Sequence, residues 1–172
     1  RREADEEFIL SLMLETLEEA LIKYDSMRIT EGLKLKEDIL GRLSRISKYV
    51  AAVESNSAET VSEYEKRLKE KITAVLENRD IDESRVLQEV AIFADRVAVD
   101  EETVRLKSHI SQMTSMLEDK IPVGKKLDFL IQEFNREANT IGSKCLNSDT
   151  AHVVVDIKSE IEKIREQIQN IE

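Results

Sequence analysis

The chain has 172 residues, of which 36% are charged and 4% are aromatic, and it contains no Trp. This composition favours elongated helical packing over a thick globular core, and four Gly and one Pro leave few places for the tight turns of a sheet. The 26 Lys and Arg against 36 Asp and Glu give a net charge of −10, which excludes a generally basic surface, so any nucleic-acid site must be local. We therefore expect an all-α protein built from elongated antiparallel helices.

The first eighty residues are predicted to form a helical arm, because their apolar residues recur in steps of three and four. The three stripes are Leu10, Leu14, Leu17, Leu21 and Tyr24; Ile39, Leu43, Ile46, Val50 and Val53; and Val61, Tyr64, Leu68, Ile72 and Val75. Residues 1–55 fit two helices or one long helix, Asn56 and Ser57 predict a break, and residues 78–80 predict a turn. The heptad-like spacing is typical of coiled coils, so we expect the arm, residues 1–80, to extend away from the other helices and to self-associate.

Residues 81–172 are predicted to form a C-terminal helical domain with four further helices. Asp82 and Asp100 are suitable N-caps for the first two helices, and Pro122 marks the start of the third. A polar loop at 147–149 separates the third helix from the last. The apolar stripes of these last two helices are Leu127, Ile131, Phe134, Ala138 and Ile141, and Ile157, Ile161, Ile164, Ile168 and Ile171.

The single thiol, Cys145, cannot form an internal disulfide, which predicts a reducing compartment. No stretch has the length and apolar character of a membrane span or signal peptide, so we expect an intracellular protein that does not bind membranes. The chain begins with Arg in a helical pattern, and we expect it to be a fragment of a longer protein.

Polar side chains border the apolar stripes of the C-terminal domain. On the helix after Pro122, one flank carries Lys126, Glu133, Arg136, Glu137, Thr140 and Lys144, and the other carries Asp128, Gln132, Asn135, Asn139 and Ser143. The two preceding helices contribute Glu102, Arg105, His109 and Gln112, and Arg85, Glu89 and Arg96. Such residues can line a pocket or lock helices together by ion pairs, and the pattern alone favours the ion pairs.

Several segments resemble those of a known family. Residues 88–96 read QEVAIFADR, residues 105–109 read RLKSH after the pair Glu101 and Glu102, and residues 124–144 read GKKLDFLIQEFNREANTIGSK. These segments and the ending IREQIQNIE resemble the distinctive motifs of the YicC-like family of bacterial endoribonucleases. The resemblance is tight over the C-terminal domain, and the arm is similar to the looser central region of the family.

The resemblance implies a bacterial, cytoplasmic enzyme that cleaves RNA in a metal-dependent manner and takes part in RNA turnover. It also implies a homo-oligomer, which is a ring-like hexamer in the family. Members carry an N-terminal domain that is missing here, so we expect the chain to be the C-terminal portion of such an enzyme. Cys145 and Leu146 depart from the small polar residues of the family motif after its Ser-Lys pair.

The matched segments contain the groups that RNA cleavage needs: a base, a cation for the phosphorane charge and an acid for the leaving oxygen. His109 is the best acid or base, because the ordinary pKa of a histidine lies nearest neutrality. The other catalytic candidates are Glu102, Arg105 and Arg136, and the candidates for binding RNA phosphates are Arg96, Lys126, Lys144 and Asn139. A lone His beside an apolar stripe is more often a hydrogen-bonded packing residue, and this alternative stays open.

Glu133 and Glu137 lie one helical turn apart, so both carboxylates could reach one hard cation such as Mg²⁺ or Mn²⁺. A third ligand would have to come from another helix or another subunit. The candidates for it are Glu89, Asp128, Glu102 and His109. An ordinary surface ion pair between Glu133 and Arg136 accounts for the same residues without a metal, and the spacing alone favours that explanation.

The sequence is compatible with three functions. The chain is the C-terminal portion of a metal-dependent endoribonuclease, or a helical oligomerisation or scaffold module without catalysis, or an RNA-binding module without catalysis. Net acidity and scarce stacking aromatics disfavour the third. Convergence of the matched polar residues on an open cleft would favour the enzyme, and their burial in ion pairs would favour the scaffold.

Overall fold

A computed structural model describes residues 2–76, 82–118 and 124–169, and within these ranges the chain forms five α-helices. The helices are α1 (Arg2–Leu76), α2 (Glu83–Val97), α3 (Asp100–Glu118), α4 (Gly124–Lys144) and α5 (Ser148–Ile168). No strand occurs in the described ranges, so the prediction of an all-α fold is confirmed. None of the described helices has an apolar stretch of the length that crossing a membrane requires.

Helix α1 runs without interruption through Asn56 and Ser57, so the predicted break at these residues is wrong. Neither residue removes a backbone hydrogen bond as Pro would, and each costs less than about 1 kcal/mol relative to Ala inside a helix. The Thr60 hydroxyl donates a hydrogen bond to the Asn56 carbonyl, a bond that Thr commonly makes within a helix. Residues 1–55, for which one or two helices were expected, belong to this one helix from residue 2 onward.

Polar residues mark the starts of the shorter helices. As predicted, the Asp82 side chain caps α2 by accepting hydrogen bonds from two backbone N–H groups of the first turn. Helix α3 includes Asp100, so it begins one residue earlier than an Asp100 cap would place it. Asn147 caps α5 through its side-chain oxygen. The turn predicted at 78–80 and the helix start predicted at Pro122 lie outside the described residues.

Contacts divide the chain into two compact units, Arg1–Asp38 and Ile39–Glu172. The hydrophobic core belongs to the larger unit. Helix α1 contributes the second predicted stripe to this core: Ile39, Leu43, Ile46, Val50 and Val53. The functional division predicted at residue 80 concerns where the sequence motifs lie, and it stays a prediction.

Helix α4 packs against both α3 and α5, and its apolar stripe is buried between them. The core residues of α4 include Leu127, Phe134 and Ile141, which are fully buried, as the spacing predicts. Helices α3 and α4 run antiparallel. Glu102, near the start of α3, pairs with Lys144 at the end of α4, whereas His109, further along α3, lies beside Phe134 in the middle of α4. This pairing brings the polar flanks of the two helices together.

Candidate active site

The candidate site lies along the facing sides of α3 and α4. The polar residues on these sides are Glu102, Arg105 and His109 of α3, and Glu133, Glu137 and Lys144 of α4. Within each helix, consecutive members of this set are three, four or seven residues apart, and these separations place them on one face. The apolar stripes beside them hold the two helices in contact, so the local sequence pattern builds the site.

His109, Glu133 and Glu137 form a cluster in which one potential ligand atom of each residue lies within 4.8 Å of the others. Both imidazole nitrogens of His109 are buried, and within the described part of the chain neither has a hydrogen-bond partner. The Phe134 ring, 6.1 Å from the imidazole between ring centres, contributes to this burial. The Glu137 side chain is 4% exposed and that of Glu133 is 23% exposed, so the cluster meets solvent on its Glu133 side.

Arg105 connects this cluster to two further carboxylates. Its Nε donates to Oε1 of Glu137 at 2.8 Å, its Nη2 to Oε1 of Glu102 at 3.1 Å, and its Nη1 to Oε2 of Glu101 at 3.2 Å. The hydrogen bond to Glu137 is the main reason why the pKa of Arg105 is raised. The guanidinium is therefore a permanent positive charge between carboxylates of both helices.

The Lys144 ammonium makes its hydrogen bonds within the protein. Its ammonium donates to both oxygens of Glu102 at 3.1 Å and to the Ala98 carbonyl at 2.9 Å. The Glu102 side chain is 5% exposed, so this ion pair is largely shielded from water on its acidic side. The phosphate-binding role predicted for Lys144 stays a prediction, and its charge is offset by Glu102.

Arg136 lies at the edge of the cluster. Its Nη1 is 3.8 Å from Oε2 of Glu133, and its side chain is 73% exposed. The ion pair that the sequence offered as the alternative to a metal site is therefore present in a loose form. A weak exposed pair of this kind leaves the guanidinium able to reach a bound anion.

The remaining predicted site residues are exposed and lie outside the cluster. They are Glu89 and Arg96 of α2, and Lys126, Asp128 and Asn139 of α4. Within the described ranges, no hydrogen bond or ion pair joins them to the cluster. The metal candidates Glu89 and Asp128 and the phosphate-binding candidate Asn139 are therefore not part of it. Lys126 lies seven residues before Glu133, about 10 Å along the same face of α4.

Sequence reasoning overlooked two neighbours of the site. Glu101 binds Arg105, and its position four residues earlier on the same helix is the usual signal for such a pair. The Ala98 carbonyl accepts from Lys144 just after α2 ends, and no side-chain pattern could have indicated it.

Fold and site together define an all-α protein that carries a histidine and carboxylate cluster between two antiparallel helices. Residues 53–172 match the sequence model described as endoribonuclease YicC-like, C-terminal. The chain therefore belongs to the YicC-like family, as its motifs predicted.

Two curated relatives carry the name probable endoribonuclease YicC. The protein from Clostridioides difficile (strain 630) is 46% identical over 172 residues, and the protein from Haemophilus influenzae (strain ATCC 51907 / DSM 11121 / KW20 / Rd) is 37% identical over 171 residues. Each alignment covers 99% of this chain and 59% of the relative. The chain thus spans about three fifths of the length of these relatives.

Proposed function

We propose that the chain is the C-terminal part of a metal-dependent endoribonuclease, a cytoplasmic enzyme of RNA turnover, and that His109, Glu133 and Glu137 bind its divalent cation. Membership of the YicC-like family supports RNA as the substrate. The observation that carries the cation site is the buried imidazole of His109, whose nitrogens have no partner in the described structure and lie beside two carboxylates.

The side chains of this cluster fit a divalent cation. A buried polar group without a hydrogen bond costs about 1–3 kcal/mol, and a cation bound by one nitrogen would offset part of that cost. Four carboxylates lie in and around the cluster, Glu101, Glu102, Glu133 and Glu137, and the three cations that pair with them are Arg105, Arg136 and Lys144, which leaves a net charge of −1. A cluster with an excess of negative charge attracts divalent cations.

The mixed set of ligands bears on the identity of the metal. Mg²⁺ strongly prefers oxygen ligands, whereas Mn²⁺ is a transition metal that binds sites of mixed nitrogen and oxygen ligands, more weakly than iron or zinc does. With His109 beside Glu133 and Glu137, the site suits Mn²⁺ better than Mg²⁺. The cation would supply Lewis-acid polarisation of the phosphate and a lowered pKa for bound water.

Residues on the open side of the cluster are suited to hold the RNA. Arg136 is largely exposed next to Glu133, and its guanidinium can donate two hydrogen bonds to a phosphate. Lys126 lies on the same face of α4, about two turns before Glu133, and can contact a neighbouring phosphate. These contacts are local, as the net charge of the chain requires.

Self-association has separate support from the smaller unit of α1. Its stripe of Leu10, Leu14, Leu17, Leu21 and Tyr24 consists of side chains that are each more than half exposed. An exposed apolar stripe of this length is typical of a protein interaction surface. The second stripe, by contrast, is buried within the chain, so it is not part of the proposed surface.

The experiment that tests the proposal is cleavage of a labelled hairpin RNA by the protein at its full natural length. We expect cleavage to stop after chelation and to return when Mn²⁺ is added. Absence of cleavage with and without metal would overturn the enzymatic proposal. It would favour the scaffold function, which the exposed stripe of α1 and the burial of Glu102 and Glu137 in ion pairs both support.

A further inference from the structure

Glu102 is a buried carboxylate at the interface of α3 and α4 that does not belong to the His109, Glu133 and Glu137 cluster. Its two oxygens accept three hydrogen bonds, two from Lys144 and one from Arg105. Because charged donors occupy both oxygens and the side chain is almost inaccessible, Glu102 is poorly placed to touch RNA or to take a proton from it. Its contacts with Arg105 and Lys144 indicate a role within the protein instead.

A continuous series of ion pairs joins Glu102 to the cluster. Lys144 binds Glu102, Glu102 binds Nη2 of Arg105, and Nε of Arg105 binds Oε1 of Glu137. The guanidinium is planar and its donors have fixed directions, so the carboxylate bound at Nη2 restricts the direction in which the neighbouring Nε–H meets Glu137. The series therefore crosses from α4 to α3 and back to α4.

We infer that Glu102 and Lys144 are positioning residues, which act through Arg105 to hold the Glu137 carboxylate where it binds the cation. The inference rests on the proposed metal site. Arg105 takes Oε1 of Glu137, so the second oxygen remains for the cation, and the positive charge of Arg105 reduces the repulsion between Glu137 and Glu133. Partners of metal ligands commonly fix the ligand orientation in this way.

This role replaces direct catalysis for Glu102 and phosphate binding for Lys144. The contact with Ala98 supports this role. Lys144 donates a third hydrogen bond to the Ala98 carbonyl, which directs its ammonium towards the protein and not towards solvent. The main competing explanation is that Lys144 and Glu102 only stabilise the packing of α3 on α4. The two explanations differ in whether loss of the ion pair changes the affinity for metal beyond what a loss of stability would cause.

A matched pair of substitutions separates them. Glu102→Gln keeps the shape of the side chain and removes its charge. Glu160→Gln is the control, because Glu160 is also a buried carboxylate that binds Arg42 and Arg45 across two helices, but it has no contact with the cluster. Isothermal titration of the purified protein with MnCl₂ measures the affinity of each variant well below its melting temperature.

We expect Glu102→Gln to weaken Mn²⁺ binding by about tenfold or more, the usual effect of losing a partner of a metal ligand. Glu160→Gln should leave the affinity unchanged while it lowers the melting temperature. Lys144→Met tests the same series from its far end and should weaken Mn²⁺ binding in the same direction, and it serves in place of Glu102→Gln if that variant does not fold.

Three results would overturn the inference. Wild-type affinity in both Glu102→Gln and Lys144→Met would refute the positioning role and leave the metal site standing. Equal losses in Glu102→Gln and Glu160→Gln would show that reduced stability alone lowers the affinity. Absence of Mn²⁺ binding in the wild-type protein would overturn the proposed metal site itself, and that result is seen before any variant is compared.

Discussion

The carboxylate of Glu160 offers a sharp test of how α1 packs against α5. Its side chain is 10% exposed, and its Oε2 accepts hydrogen bonds from Arg42 at 3.1 Å and from Arg45 at 3.0 Å. Lys163 donates to Oε1 at 3.3 Å. Burial raises the pKa of Glu160, but the hydrogen bonds from Arg45 and Lys163 outweigh burial and hold the pKa below its ordinary value.

We expect Glu160→Gln to lower the free energy of unfolding by about 2 kcal/mol at neutral pH. A hydrogen bond to a charged group contributes roughly 1.5–3 kcal/mol. The bonds do not add up fully, because Arg45 and Lys163 are about half exposed and screened by water, and because the Gln oxygen still accepts one bond. For a chain of this length, the melting temperature should fall by about 4–8 °C.

The effect should depend on pH with a definite sign. Because the folded-state pKa of Glu160 is lowered, the ionised carboxylate stabilises the fold at every pH above the ordinary glutamate value. This contribution is lost as the pH falls through the lowered folded-state pKa. Wild type and Glu160→Gln should therefore converge in stability under acid conditions.

Thermal melts followed by circular dichroism, at neutral pH and in steps down to about pH 3, measure both effects. Glu162→Gln is the matched control on the same helix, since Glu162 pairs with Arg165 and both side chains are about half exposed. It should change stability by less than about 0.5 kcal/mol. Equal melting temperatures for wild type and Glu160→Gln at neutral pH, or equal losses in the two variants, would refute the reasoning.

Two further predictions concern the metal cluster and the exposed stripe of α1. His109→Ala should abolish the stabilisation by Mn²⁺, which in the wild type is about 2.7 kcal/mol at a hundredfold excess over Kd, and should change metal-free stability little. Scanning fluorimetry with and without Mn²⁺ checks this, and a large metal-free loss with normal cleavage would make His109 a packing residue. Leu14→Glu combined with Leu21→Glu should reduce self-association measured by light scattering, with Glu18→Gln as control. A wild-type protein that remains monomeric at high concentration would contradict the proposed interaction surface.

Apolar spacing predicted the helices well because burial has a regular period. The stripe from Ile39 to Val53 is buried in the core, and so is that from Ile157 to Ile168. The boundaries were less predictable. Asn and Ser are common in turns, so residues 56 and 57 resembled a break. Their small helix penalty is outweighed by the helical segments on both sides, which are continuous with each other in α1.

The candidate site was predictable within each helix and unpredictable between helices. Spacing placed Glu133 and Glu137 on one face of α4, since that depends only on helix geometry. The pairing of Glu102 with Lys144, 42 residues apart, depends on how far α3 and α4 slide along each other. That register is set by the packing of buried side chains such as Phe134, which a sequence pattern does not give.

The proposed metal-dependent cleavage depends most directly on the two carboxylates of α4, Glu133 and Glu137. Its decisive measurement is RNA cleavage by the protein at its full natural length carrying both Glu133→Gln and Glu137→Gln, compared with a control carrying Glu63→Gln and Glu162→Gln, which removes two exposed, ion-paired carboxylates. We predict that the Glu133 and Glu137 variant folds, loses Mn²⁺ binding and cleaves about a hundredfold more slowly or worse, while the control is unaffected. Cleavage at the wild-type rate with unchanged dependence on Mn²⁺ would contradict the account.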